Sequence, residues 1–406
     1  MLTVLVVSAA VASGNGEAAN GESPPVTSRD FDPPLWSEQQ EKDFRKHRLN
    51  FSRALKADRL SEQDRQNITR GVQRYMYRMT MPELFRDLPK DVLREIISDL
   101  RSPVTGKAAR DFVMQEVVRI APELYNQPQP PRFNLAILLS NLDADHKAEP
   151  QVPYIPAADR LLEMLQQPNQ FFSVKIWCAK GLGRICRDAD PSIRLRDRIA
   201  GALLQGLAEA PDHVEPEVRE WYQRLFIEAL GDTGLVYNIN RQPTIIDTLM
   251  QLLSDPQQSW DIRTAALHAV SRLQFEPSTN VDLILYEAGK LAHEMGRAYN
   301  ANRAAPHWQA NFVKLYHSMI PRFPKEAHQR NLGLVNQIQN RSGLGQYRAK
   351  AESLLEAMAP VYNPVTESGG QNPIPASGIQ NLQQWLQANA PENRRPTPES
   401  QPLPQS

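Results

Sequence analysis

A chain of 406 residues with 41% hydrophobic content is long enough for two or three ordinary domains or for one elongated array, and most of it can bury apolar surface. Its 46 basic and 46 acidic residues cancel, which excludes a surface that binds nucleic acid or membrane over its whole extent; charge-driven binding must be local. The only two cysteines, Cys178 and Cys186, fall in one predicted helix, roughly 12 Å apart at 1.5 Å rise per residue. That is too far for a disulfide, so they read as small buried apolar residues.

The chain opens on an apolar run, Leu2 to Ala12, closing on Ala10-Val11-Ala12, the A-x-A form of an export-signal cleavage site, although no Lys or Arg precedes it. The run is too short to span a bilayer, which takes about 20 apolar residues. Residues 1–19 are expected to act as an export signal, with a periplasmic or extracellular destination; if residues 1–12 do not act so, the protein is cytoplasmic. Residues 20–36, built of Gly, Ser, Pro and acids, read as a flexible linker. Ser37 with Gln40, Ser61 with Asp64, and Thr80 with Glu83 each pair an N-cap residue with an acceptor three positions on. They predict helices over 37–57, 61–79 and 81–101, the last interrupted near Pro89, which together form an N-terminal helical cap over 37–104. No stretch of the chain shows sustained period-2 alternation bounded by hairpin turns, so an all-helical protein is expected.

From about residue 107 the predicted helices come in pairs. An apolar residue followed by a base recurs as Val174-Lys175, Val218-Arg219 and Ile262-Arg263, 44 residues apart each time. Upstream of each lies a leucine-rich helix: Leu161, Leu162 and Leu165; Leu203, Leu204 and Leu207; Leu249, Leu252 and Leu253. Downstream come Ala179 and Leu182, Leu225 and Leu230, and Ala266 and Val270. The upstream spacings place those leucines on one helix face, and the downstream residues likewise share a face. Two helices per unit with an apolar face that one unit cannot cover means stacked neighbours, hence an array over 107–358. The letters drift because a core position needs volume and apolarity, not one identity.

This pattern resembles the HEAT-repeat (armadillo-like) family of α-solenoids, whose second helix commonly begins with Val-Arg followed by Ala, as Ile262-Arg263 with Ala265 and Ala266 do here. Asp255 resembles the Asp that the family favours before the second helix, at a wider spacing than is usual. The resemblance is best over 156–274. Further pairs are expected from "FVMQEVVRIAPELY" with "PRFNLAILLSNL", "VDLILYEAGKLAHEM" with "HWQANFVKLYHSMI", and "QRNLGLVNQIQ" with "YRAKAESLLEAMA", about six pairs in all. The fold class expected is therefore all-α, an α-solenoid of stacked antiparallel helix pairs with an N-terminal cap and disordered termini.

Residues 359–406 read as a Pro/Gln-rich disordered tail carrying one short amphipathic helix, 378–389, with Ser377 as its cap. Ile379, Leu382, Trp385 and Leu386 share a face of that helix, which is too short to be stable alone in water. It is expected to fold against its own solenoid, meet a partner, or stay disordered.

No catalytic, cofactor or metal site is expected. His293-Glu294 lacks the second histidine of a zincin helix, and "NLDADHKAE" lacks the glycine and terminal glutamate of a calcium loop and reads as a solvated helix end. Gly181-x-Gly183 and Gly343-x-Gly345 lack a third glycine. Two binding readings follow. The first is a non-enzymatic scaffold that binds a protein, with Lys175, Arg219, Trp221 and Arg263 near the starts of the second helices as candidates. The second rests on eleven bases against five acids between Glu41 and Thr80: Arg70, Arg74 and Arg78 step by four along one face and are candidates for an anionic polymer such as nucleic acid or acidic polysaccharide. A third, resting on the family resemblance alone, is a lyase that attaches chromophores to antenna proteins.

Overall fold

The computed structural model describes residues 31–212, 214–322, 332–367 and 372–404. The expected export signal, 1–19, and residues 20–30 of the expected linker lie outside them. Among the described residues sixteen α-helices make up nearly all of the regular structure. Helices α1 (Glu38–Ala54), α2 (Glu62–Arg78) and α3 (Val92–Arg101) open the described chain. Ser37 and Ser61 each close a reciprocal capping box, with Gln40 and Asp64, as their spacing implies. Thr80 does not cap a third helix. Its hydroxyl donates to the Tyr77 carbonyl at 2.7 Å and accepts the Leu35 amide at 2.7 Å, and only a short 3-10 turn, Pro82–Leu84, follows before α3 begins. The end of the expected linker is thereby fastened down. Leu35 is tied to Thr80, the Gln127 side chain donates to the Pro33 carbonyl at 3.2 Å, and Trp36 packs beside Tyr77.

Helices α4 (Lys107–Ile120) and α5 (Gln129–Ser140) follow. A two-stranded antiparallel ribbon, Asp143–Asp145 with Val152–Pro153, then takes the place of the solvated helix end that "NLDADHKAE" suggested. Asp143 is buried there between Arg101, at 2.9 Å, and Arg184. Three pairs come next: α6 (Ala157–Leu165) on α7 (Phe172–Asp188), α8 (Ile193–Ala208) on α9 (Pro216–Thr233), and α10 (Thr244–Ser254) on α11 (Trp260–Val270). The second helices also pack on one another in sequence, α5 on α7, α7 on α9 and α9 on α11, with α13 (Trp308–Met319) continuing the row. This arrangement is all-helical and consistent with an α-solenoid.

Close approach within the row depends on small residues. A side chain on Gly231 of α9 would meet the Ala269 Cα of α11 at 2.6 Å; one on Gly183 of α7 would meet the Ala229 Cα of α9 at 3.1 Å; one on Gly181 would meet the Ser140 hydroxyl at 2.4 Å. Polar bonds tie the same ends of these helices. Arg184 donates to the Ser140 carbonyl at 3.0 Å and Arg272 to the Glu228 carbonyl, both across 44 residues. Asp232 bridges Arg187, at 3.1 Å, and Arg272, at 2.8 Å. The polar ladder thus runs at the C-terminal ends of the second helices, whereas the Asp255 carboxylate accepts hydrogen bonds locally, from Gln257 and Gln258.

The pairing is cleanest where the 44-residue spacing is. Outside 156–274 it changes: α4 packs on α2 rather than on α5, so the N-terminal cap takes in α4. Helices α12 (Val281–Ala301) and α13 touch little, and α15 (Arg348–Glu367) packs against both; the short α14 (Leu334–Asn340) lies beside α15. No helix among the described residues is long and apolar enough to cross a membrane.

The expectation of a disordered tail from residue 359 is corrected over its described part. Helix α15 runs on through Pro360 and Pro364. A mid-helix proline costs about 3 kcal/mol; Val361, Tyr362 and Val365 are buried there, each contributing about 1.5–3 kcal/mol, which offsets that cost. Helix α16 (Ala376–Ala388) lies on α12 and α15. It starts two residues earlier than its sequence signal, with Pro375 at the N-cap position and no side-chain cap, so Ser377 is inside the first turn. Leu382 and Leu386 are buried, and the Trp385 indole donates to the Ser353 hydroxyl at 2.9 Å. Two glycines of α12 make room for it: Gly289 lies under Leu386 and Trp385, and Gly296 near Ile374 and Ile379. The chain then returns along α12. Arg394 pairs with buried Glu287 at 3.1 Å, Asn280 donates to the carbonyls of Asn393 and Arg395, and Tyr237 donates to Glu399 at 3.2 Å.

Gly231→Ala is expected to lower stability by about 1–3 kcal/mol through the clash with α11. Gly201→Ala, in α8 with open space around it, should raise stability by up to about 1 kcal/mol through helix propensity. Urea midpoints that move in the same direction for both would contradict this packing. Leu382→Asp should release α16 at a cost of about 3 kcal/mol or more and open the Arg394–Arg395 bond to rapid tryptic cleavage, read by limited proteolysis against the parent chain.

Candidate functional site

The four residues proposed near the starts of the second helices do not form one surface. Lys175 reaches Glu209 at the end of α8, at 3.3 Å. Arg263 is buried, donates to the Leu253 carbonyl at 3.0 Å, and pairs with Glu294 of α12 at 2.6 Å. Both therefore link one pair to the next and are occupied. Arg219 pairs with Asp212 at 2.7 Å but keeps its side chain 45% exposed. Trp221 is 44% exposed, an unusual state for so large an apolar ring.

The Arg70, Arg74, Arg78 stripe is divided. Arg74 is held between Glu41 of α1 and Glu95 of α3, at 3.0 Å each, and stacks over the rings of Phe44 and Tyr75. Arg78 reaches Glu95 at 3.2 Å. These two bases clamp three helices together, and Arg70 alone of the three remains exposed. Glu95, from a helix outside the basic segment, offsets part of the excess charge here. Ile379, Leu382, Trp385 and Leu386 are likewise turned onto α12 and α15 and belong to the fold.

The second helices present a different face outward. On α9, Tyr222 and Phe226 point to the first helix α8: the Tyr222 hydroxyl donates to the Gly206 carbonyl, and Gly206 lies against the Phe226 ring. Trp221, Arg224 and Glu228, at i, i+3 and i+7, share the opposite face. The same offsets on α7 give Trp177, Lys180 and Arg184. On α5, Phe133 lies 44 residues before Trp177, and the two rings meet edge to face at 6.3 Å. An aromatic row, Phe133, Trp177 and Trp221, therefore crosses three neighbouring helices, and Gln129 donates to Ser173 across the same 44-residue offset at 2.9 Å. A cleft of about 320 Å³ opens on this face, lined by Trp177, Lys180, Arg184, Arg187, Leu225 and Glu228 among others.

Beside the aromatic row runs a basic one. Lys180 lies over the Trp177 ring at 4.2 Å, and Arg224 occupies the equivalent place on α9. Among the described residues neither has a carboxylate at ion-pair distance. Glu228, which acts on Lys180 through space, is paired with Lys314 of α13 at 2.9 Å. That pair crosses α11, whose small Ala265 and Ala269 leave it recessed, and the equivalent base there, His268, is held well below the usual imidazole range by burial and by Arg272 and Lys314. The charged part of the basic row is thus confined to α7 and α9.

Phe133, Trp177, Lys180 and Arg224 were not among the residues singled out from sequence. The signal was present: applying the 44-residue offset to Trp221 finds Trp177 and then Phe133, and applying it to Lys180 finds Arg224. Cys178 and Cys186 are free and buried in α7, and burial pushes both thiols up, away from the thiolate form. Among the described residues no group of three or more His, Cys, Asp or Glu is placed to hold a metal ion. No protein-family model, curated protein or solved structure matches the chain.

The Arg74 clamp has a pH signature. Burial works to raise Glu41, but the hydrogen bonds and charge of Arg74, with the charge of Arg78, carry it below the usual glutamate value of 4.5. A carboxyl depressed in the folded state contributes stability that is present above its unfolded pKa and lost as pH falls through the folded one. Urea midpoints measured from pH 6 downwards should therefore fall below about pH 4.5, and Glu41→Gln should be less stable at pH 6 with a shallower acid decline. An unchanged acid limb in the variant would remove Glu41 as a contributor.

Proposed function

We propose that the chain is a non-enzymatic, HEAT-like α-solenoid scaffold that binds another protein along the outward face of its second helices. The observation that carries this reading is Trp221: a large aromatic ring left 44% exposed, in register with Trp177 and Phe133 on a face lined by rigid helices. Aromatic side chains supply large contact area at small entropic cost, which is why they concentrate where proteins bind. Helix pairs that buttress one another hold such a row at fixed spacing, the property that makes stacked arrays suited to recognition. The anionic-polymer reading retains only Arg70 of its three candidate bases as an exposed group, and it is not adopted.

A photo-reactive phenylalanine analogue at position 221 should yield a discrete adduct with one identifiable protein in native extract, and the same probe at exposed Leu49 of α1 should not. Equal labelling from both positions, or none from 221, counts against the scaffold reading.

A further inference from the structure

We infer that the partner segment is acidic: an extended peptide carrying carboxylates and apolar side chains, laid across α5, α7 and α9. This rests on the scaffold reading above and narrows it to one chemistry. The aromatic row offers apolar contact at Phe133, Trp177 and Trp221, one ring per helix. The basic row, one turn further along each helix, offers Lys180 and Arg224, and among the described residues no carboxylate is at ion-pair distance from either. The bases that border this face are matched: Arg184 by Asp143, Arg187 by Asp188 and Asp232, Arg272 by Asp232, Lys314 by Glu228. Two cations without a close carboxylate, beside exposed Trp221 and half-buried Trp177 and Phe133, leave a positive potential on an apolar face, and carboxylates complement it.

The spacing suits an extended strand. Adjacent packed helices lie about 8–10 Å apart, so α5 to α9 is about 16–20 Å, the reach of about six extended residues. Successive side chains of such a strand alternate, so one set settles between the rings while the other meets Lys180 and Arg224. A basic or neutral segment gains the apolar contacts alone and, if basic, is repelled.

The test uses the full chain and three fluorescein-labelled peptides of about 12 residues. One alternates Asp or Glu with Leu and Phe; in the others the acids become Lys or Ser. Anisotropy titrations should show the acidic peptide binding at low salt and weakening as salt rises. The Lys180→Glu, Arg224→Glu double variant should weaken it by at least about tenfold and gain affinity for the Lys peptide. Trp221→Ala should weaken the acidic peptide without changing the preference among the three. If circular dichroism shows the charge-reversed variant unfolded, Lys180→Gln with Arg224→Gln must weaken acidic binding in the same direction. Equal binding of the Ser and acidic peptides, with Trp221→Ala still weakening both, overturns the acidic inference and leaves the scaffold reading standing. Acidic binding that is indifferent to both the base and Trp221 substitutions overturns the proposed site, and the position-221 adduct then decides the scaffold reading by itself.

Discussion

Everything in the central part of this molecule depends on second helices coming close enough for backbone to touch side chain. Gly231 against Ala269, Gly183 against Ala229 and Gly181 against Ser140 are positions where one extra methyl group meets an occupied site. Protein interiors are packed densely enough that such a group has nowhere to go without moving a helix. Once the helices are this near, the Arg184 guanidinium reaches the last carbonyl of α5, at Ser140, and the Arg272 guanidinium reaches the Glu228 carbonyl inside α9. The Ser140 carbonyl is one that a helix end leaves unsatisfied, so Arg184 serves capping and cross-linking together.

The same register decides which residues are free to meet a ligand. Bases at the starts of the second helices bridge to first helices and loops: Lys175 to Glu209, Arg219 to Asp212, Arg263 to Glu294. Bases at the ends are absorbed in the ladder around Asp232. Only the middle of the outward face escapes both sets of contacts, and there Trp177, Lys180, Trp221 and Arg224 are found. Lys314 and Glu228 close this strip on the α13 side by joining across the alanines of α11. This strip is what remains after the packed helices have used their polar side chains on one another.

At the C-terminal end the packing rule changes. Helix α12 presents Gly289 and Gly296 two turns apart, and α16 and the residues before it pack over both. The strap that follows is held by polar contacts at Asn280, Glu287 and Tyr237. The apolar face of α12 needs a cover, and a segment from the same chain supplies it here. That is why a proline-rich sequence with little hydrophobic content is ordered over 372–404: its few apolar residues, Ile374, Leu382, Leu386 and Leu403, are buried on the α12–α15 surface or beside it.

By itself the sequence determined the helical class, the capping boxes at Ser37 and Ser61, and the three pairs over 156–274. These are local matters of period, cap chemistry and a spacing repeated three times, and nearby residues suffice to decide them. The periodic register also contained the Phe133, Trp177, Trp221 row, legible once the 44-residue offset is applied beyond the base-bearing dipeptides. Only the tertiary structure decided that Arg74 and Arg78 are clamped by Glu95, that α4 sides with α2, that Thr80 anchors Leu35 instead of capping a helix, and that the tail lies down on α12. Each of these joins residues far apart in the chain. A side chain's partner across such a distance is set by which helices stack, and composition or spacing along one helix carries no record of it.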